Sequence, residues 1–286
     1  MNMILRSEIQ KLKGEGFLKQ REGDFFSVRV LSSAGNFTSK EISKMASIAE
    51  NYGKGYLGFT TRLSCEIPWI KYEYIEKVKE ELENSNLSYG GTGKKVRPLM
   101  ACKGTICTHG LIDTQGLCKE LHEKYFAMDM PSKFKIGIVG CPNNCAKASL
   151  NDLGIMGQVI PKFNEESCVN CGMCLKVCKE GAIGKKEGKI SYNKDKCVDC
   201  GECTKVCKFN AFEEEKSGVS IFVGGRFGRN YSLGQKLPKI YALDEAKEVC
   251  DKIITYYKEN GMPGERIFKL VNRIGFEEFL QNIGEY

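Results

Sequence analysis

Gly140-Cys141-Pro142-Asn143-Asn144-Cys145 follows directly on the strand-like residues 134–139. Glycine, proline and two asparagines around a cysteine pair are loop residues at a strand end, not core residues. A second pair, Cys102 and Cys107, lies well upstream, so the two pairs meet only when the domain folds. Buried structural thiol is the simpler use of cysteine, because it packs as a small apolar group. The loop setting favours ligation instead, and four thiolates form the ligand set of a 4Fe-4S cluster.

Downstream the cysteines crowd and repeat. Cys168-Val-Asn-Cys171-Gly-Met-Cys174-Leu-Lys-Val-Cys178 aligns with Cys197-Val-Asp-Cys200-Gly-Glu-Cys203-Thr-Lys-Val-Cys207. Two runs of C-x2-C-x2-C-x3-C have the spacing of a bacterial two-cluster ferredoxin, in which the fourth cysteine of each run serves the other cluster. This assigns Cys168, Cys171, Cys174 and Cys207 to one cluster, and Cys178, Cys197, Cys200 and Cys203 to the second. Lys179 and Lys208 stand where such runs usually carry proline. Zinc ribbons also use C-x2-C pairs, but four evenly spaced thiols, repeated, overfill a tetrahedral zinc site. A repeat this short cannot bury a core alone, so the two copies are expected to pack as one small module that moves single electrons.

The remaining chain alternates between strand and helix patterns. Residues 25–31, 56–59, 67–70, 134–139 and 219–223 are expected strands. Thr38 with Glu41 forms a capping-box pattern opening a helix that carries Ile42, Met45, Ile48 and Ala49 on one face. Residues 72–84, 114–125 and 244–257 are further expected helices, with shorter pieces at 267–271 and 277–283. The class is α+β, with the cysteine module inserted. The expected units are 1–90, a second unit of 91–160 with 216–286, and the insertion at 161–215.

Composition excludes several functions. No apolar run approaches the length of a membrane span. The first ten residues lack an apolar stretch followed by small residues, so no secretory signal is expected and the cytoplasm is the expected compartment. Without oxidising export, fifteen cysteines indicate metal ligation before disulfides. The formal charge of +7 suggests an anionic partner. Three cubes, each about −2 with its thiolates, cancel most of it, so nucleic acid is not expected.

The cysteine pairs resemble the signature of the sirohaem-dependent sulfite and nitrite reductases, a C-x5-C pair followed distantly by C-x3-C within G-C-P-N-x-C. Residues 140–145 match the second half, and the first pair is one residue shorter. The resemblance implies a ferredoxin-like half-domain beside a sirohaem and 4Fe-4S domain, with Cys145 bridging the cluster to the sirohaem iron. Phe25-Phe26-Ser27-Val28-Arg29 resembles the segment carrying the family's first anion-binding arginine. Thr60-Thr61-Arg62 resembles its T-T-R-Q motif, with Leu63 in place of glutamine, and residues 131–135 resemble P-R-K-F-K. Arg29, Arg62, Lys133 and Lys135 are then the expected anion-binding and proton-supplying groups, the two lysines sharing one strand face. Gly224-Gly225-Arg226 resembles a glycine-rich stretch near the macrocycle, and Arg97 and Lys103 are expected to meet its carboxylates.

The implied cofactors are sirohaem and three 4Fe-4S clusters, and the implied reaction is six-electron reduction of sulfite to sulfide. Nitrite reduction to ammonia and a non-catalytic electron-transfer protein are the alternatives. A half-size unit with an inserted ferredoxin resembles the catalytic C-subunit type of the NADH-dependent anaerobic sulfite reductases. Partner subunits carrying flavin and iron–sulfur clusters are therefore expected, in a two-fold or hetero-oligomeric assembly. No G-x-G-x-x-G follows a strand, so electrons must come from another protein. Of the remaining side chains, Cys65, Cys118, Cys250 and Trp69 are expected in the core, and His109 as a hydrogen-bonding neighbour of the site.

Overall fold

In the computed structural model, which describes residues 4–286, two sheets stand behind the candidate site. The start of the segment read above for a secretory signal, and of the expected 1–90 unit, lies outside the described residues. Helix α1 (Arg6–Gly14) leads into strands β1 (Phe17–Lys19) and β2 (Phe25–Val30). Helix α2 (Ser39–Tyr52) opens as expected: the Thr38 hydroxyl accepts from the Glu41 amide, and the Glu41 carboxylate accepts from the Thr38 amide. Strands β3 (Gly58–Phe59) and β4 (Cys65–Lys71) and helix α3 (Ile75–Glu83) complete an antiparallel sheet of order β1-β2-β4-β3. Phe26, Val28 and Val30 alternate inward onto Met45, Ile48 and Val78, which leaves Arg29 on the opposite face.

Trp69 departs from expectation. Between the β2–β4 pairs Phe26↔Ile70 and Val28↔Ile67 the register shifts, so Pro68 and Trp69 together oppose Ser27. The extra residue takes φ +66° and rotates the indole out of the core. There it is half-exposed, with the Lys54 ammonium 3.6 Å from its ring centre.

The second sheet begins with β5 (Met100–Ala101); helix α4 (Thr114–Tyr125), β6 (Ile136–Val139) and β7 (Leu153–Phe163) follow. The chain then leaves this sheet for α5 (Met173–Val177), the hairpin β8 (Ile183–Lys186) and β9 (Lys189–Tyr192), and α6 (Glu202–Val206). It returns as β10 (Phe212–Val223) and β11 (Gln235–Lys236), and closes with α7 (Leu243–Asn260), α8 (Ile267–Ile274) and α9 (Phe276–Asn282). The order is β11-β10-β7-β6-β5, with β5, β6 and β7 parallel and β7 antiparallel to β10.

Strand β10 begins seven residues before the expected 219–223, because its glutamate-rich half pairs with the outer end of β7 across a bulge at Glu214/Lys216. Phe163 and Phe212 are register partners there, their rings stacked 4.7 Å apart. The excursion between them carries all eight repeated cysteines around a small core of Ile183, Ile190 and Phe212. No described helix is long and apolar enough to cross a membrane.

Candidate active site

One cavity of about 240 Å³ gathers the expected cations: Arg29, Arg62, Arg97, Lys133 and Lys135 all line it, with Thr60 and Thr61. Arg29 projects from the outward face of β2 and is held by Glu66, its partner across the β2–β4 ladder, at 2.6 and 3.0 Å. Arg62 sits in the turn joining β3 to β4, where the Thr60 hydroxyl accepts from the amides of Arg62 and Ser64. Its guanidinium reaches the other sheet and donates to the carbonyls of Pro98 (2.6 and 3.1 Å) and Ile136 (2.9 Å) and to Asn151 Oδ1 (2.9 Å). Burial pulls it down to about 10, against the pull of Asp152. Most of its donors are spent, so Arg62 is a fixed positive wall of the cavity and a tie between the sheets.

Lys133 and Lys135 lie in the extended lead-in to β6, three residues and one residue before it, because the strand begins at Ile136 and not at Phe134 as expected. Phe134 between them is buried, so both lysines face the cavity. The Lys135 amide donates to Asp152 Oδ2 (2.9 Å), and Asp152, fully buried, is gripped by Arg266 at 2.7 and 2.8 Å. Burial, then the charges of Arg62, Arg266 and Lys133, bring the Lys135 ammonium down to about 8. A lysine poised there gives up a proton near neutrality. Asp152 and Arg266 were not legible as site residues: neither lies in a motif, and their role arises from burial.

Thr61 also lines a second, larger cavity of about 430 Å³, so the two adjoin. Its lining brings Cys102, Cys107, Cys141 and Cys145 together with Lys103 and His109. The pairs converge because Cys102 follows β5 and Cys141 follows β6, and neighbouring parallel strands open their loops at the same sheet edge. The Gly140 amide donates to Cys102 Sγ (3.2 Å), and Asn144 holds the second loop through Ala148 (2.7 Å) and Ser149 (2.9 Å). Gly157 of β7 has no room for a side chain: a Cβ there would lie 2.4 Å from the Gly140 carbonyl oxygen. Lys103 bonds the Asn36 side chain, and His109 Nδ1 lies 3.3 Å from Glu202 of α6.

All fifteen thiols are free. In the inserted module, Cys168, Cys171, Cys174 and Cys207 line one small cavity, a set that crosses the two repeats. Cys203 is buried beside Cys197 and Cys200; burial first, then these neighbours, push its thiol up to about 12. Cys178 packs against the same small core. Cys65, Cys118 and Cys250 are fully buried in the two larger cores, as expected of packing thiols. Gly224, Gly225 and Arg226 line neither main cavity: the Gly224 amide donates to the Asp152 carbonyl (2.9 Å), Gly225 packs on the Asn151 carbonyl, and Arg226 lies over the Phe268 ring.

These residues fit an iron–sulfur cluster beside an anionic group. Four unpaired thiols share a cavity. Next to it, the buried Nε of Arg97 has no partner among the described residues, while its Nη1 donates to the Gly91 carbonyl (2.8 Å). A buried orphan donor at a cationic wall is what an anionic cofactor or substrate would satisfy.

Residues 92–286 match the nitrite and sulphite reductase 4Fe-4S domain, and residues 18–85 match the nitrite/sulfite reductase ferredoxin-like half domain. Over 275 residues the chain is 38% identical to the coenzyme F420-dependent sulfite reductase of Methanocaldococcus jannaschii, covering 94% of this chain and 44% of that protein. Over 193 residues it is 33% identical to the C subunit of the anaerobic sulfite reductase of Salmonella typhimurium, covering 62% and 53%. The chain thus spans about half the length of these two relatives. Dissimilatory sulfite reductase I superposes with a TM-score of 0.73 at 24% identity, covering 92% of this chain and 69% of that one. The NirA protein of Mycobacterium tuberculosis superposes with a TM-score of 0.69 at 16% identity, covering 98% and 46%; both share this fold. With both family domains matched in sequence order, the chain belongs to the nitrite and sulphite reductases, a family of oxidoreductases.

Proposed function

We propose that the chain is the catalytic unit of a sulfite reductase, taking sulfite to sulfide. The observation that carries this reading is the adjacency of the cationic cavity to the four-thiol cavity through Thr61. A sirohaem coupled through Cys145 to a 4Fe-4S cluster on Cys102, Cys107, Cys141 and Cys145 would supply an iron for the anion and a path for electrons. Arg97, whose Nε is buried without a partner among the described residues, and Lys103 are the residues proposed to hold its carboxylates. Gly224, Gly225 and Arg226 are proposed as the stretch near the macrocycle, the two glycines also backing the Asn151–Asp152 segment.

The residues of this chain do the acid and electrostatic work. Arg29, fixed by Glu66, orients the oxygens, and Arg62, its donors mostly taken by three backbone and side-chain acceptors, holds negative charge as a fixed cationic wall. Lys133 and Lys135 deliver protons, so that each sulfite oxygen departs as water. Six electrons and six protons convert hydrogensulfite to hydrosulfide and three waters, and no co-reactant beyond an electron donor is needed. Cys168, Cys171, Cys174 and Cys207, and Cys178, Cys197, Cys200 and Cys203, would hold two further 4Fe-4S clusters, three with the central one, whose chemistry would be single-electron transfer. The units proposed for these roles are 1–90, 91–160 with 216–286, and 161–215. Electrons come from partner subunits carrying flavin and iron–sulfur clusters, in a two-fold or hetero-oligomeric cytoplasmic assembly.

Anaerobic purification followed by a visible spectrum tests the reading. Red haem absorption that shifts on adding sulfite, with sulfide formed from sulfite faster than ammonia from nitrite under reduced methyl viologen, is the expected result. Broad iron–sulfur absorption alone, or ammonia as the faster product, overturns it.

A further inference from the structure

The two cysteine runs are near copies in sequence but are used differently in space. In the second run, the Val198 carbonyl accepts from the Gln158 side chain (3.1 Å) and the Asp199 carbonyl accepts from the Val159 amide (2.8 Å) of β7. A Cβ on Gly201 would lie 2.9 Å from the Val159 side chain, whereas at the equivalent Gly172 nothing lies within 4 Å. Glu202 reaches His109, which lines the four-thiol cavity. The second run is therefore seated against the catalytic sheet, facing the central site.

The first run faces the other way. Cys171 is exposed where its counterpart Cys200 is half-buried. Val169, Met173 and Phe209, all lining the cavity of Cys168, Cys171, Cys174 and Cys207, are 56%, 46% and 50% exposed. Three large apolar side chains clustered in water around one thiol set mark a contact surface. Lys176 and Lys208 flank it in sequence, both exposed; of the carboxylates just before Cys168, Glu165 is paired with Lys189 and Glu166 is exposed. An apolar centre whose flanking charges sum to a net positive edge fits an acidic-edged partner.

We propose that the cluster on Cys168, Cys171, Cys174 and Cys207 is the electron entry point, and that a small acidic iron–sulfur protein docks over Val169, Met173 and Phe209 to reduce it. The inference rests on the iron–sulfur reading of the module and not on which anion is reduced. The step is outer-sphere: the donor's cluster is oxidised by one electron, the module's first cluster is reduced by one, and no bond forms or breaks. The second run hands the electron on toward the thiol centre.

Stopped-flow bleaching of the full-length holoprotein, anaerobic and without sulfite, tests this. The reductants are a dithionite-reduced acidic bacterial ferredoxin and, separately, the methyl viologen radical. Met173→Glu with Lys208→Glu is expected to slow reduction by the ferredoxin at least tenfold and to weaken its decline with ionic strength. Reduction by viologen is expected to stay within twofold of the parent. Lys208→Glu alone is expected to slow the ferredoxin at least threefold, and keeps the test open should Met173→Glu hold less iron. Lys194→Glu with Lys196→Glu, beside the seated run, is expected to leave both rates unchanged. No effect from the Lys208 variants, or an equal loss from the Lys194/Lys196 pair, overturns the proposal. Because sulfite is absent, failure of sulfite turnover would bear only on the proposed reaction.

Discussion

At the scale of single residues, the site depends on charges whose neighbours hold them away from their ordinary values. Lys135 is the clearest case, with its ammonium brought to about 8 by burial and by three surrounding cations. Only the protonated form donates, so turnover is expected to fall as pH rises through about 8. Lys135→Met is expected to lower the rate about 100-fold and remove that alkaline limb, measured as sulfide formed against pH. Lys135→Arg, which stays charged, is expected to bind sulfite but leave a flat profile above neutrality. Asp152 acts one step back, fixing the Lys135 backbone while buried against Arg266. Asp152→Asn strands the Arg266 charge and is expected to cost about 3–5 kcal/mol in urea unfolding. The cationic cluster was legible because four of its members lie in motifs; Asp152 was not, because a lone aspartate shows its worth only when the fold removes it from water.

At the scale of elements, helices were the more legible. Residues 114–125 carry a helix with the expected bounds because Asp113 caps it, accepting from the Gly116 amide (3.0 Å), and its apolar residues repeat at helical spacing. Strand β7 left no such signal. It is buried along nearly its whole length, so the alternation that marks a one-sided strand is missing. Its glycines resemble a break when they are points of close approach. Gly157 shows this: adding a methyl group pushes on the Gly140 carbonyl and thereby on Cys141. Gly157→Ala is expected to cost about 1–3 kcal/mol by overpacking. It should also lower iron bound per chain at the central site, read by iron assay and by the cluster spectrum; full iron content would show that the loop yields freely.

At the scale of the whole molecule, Arg62 joins two sheets that otherwise have separate cores. Arg62→Met removes that tie and is expected to split one thermal unfolding transition into two, followed by calorimetry. The module's attachment was half legible: the repeat announced an insertion, but the long β7–β10 ribbon that carries it was hidden in a glutamate-rich stretch. That ribbon has a historical consequence. Since Phe163 and Phe212 stand side by side, the excursion between them leaves and rejoins the sheet at a single rung, and is seated further along β7 through Gln158 and Val159. A lineage can therefore gain or discard such a cassette without disturbing the register beneath it. Replacing residues 164–211 with an Asn-Gly turn is expected to leave a folded protein with its circular dichroism and central cluster intact but deaf to a ferredoxin donor. A chain that fails to fold would show instead that the cassette has become part of the foundation, and that wiring and catalyst can no longer be traded separately.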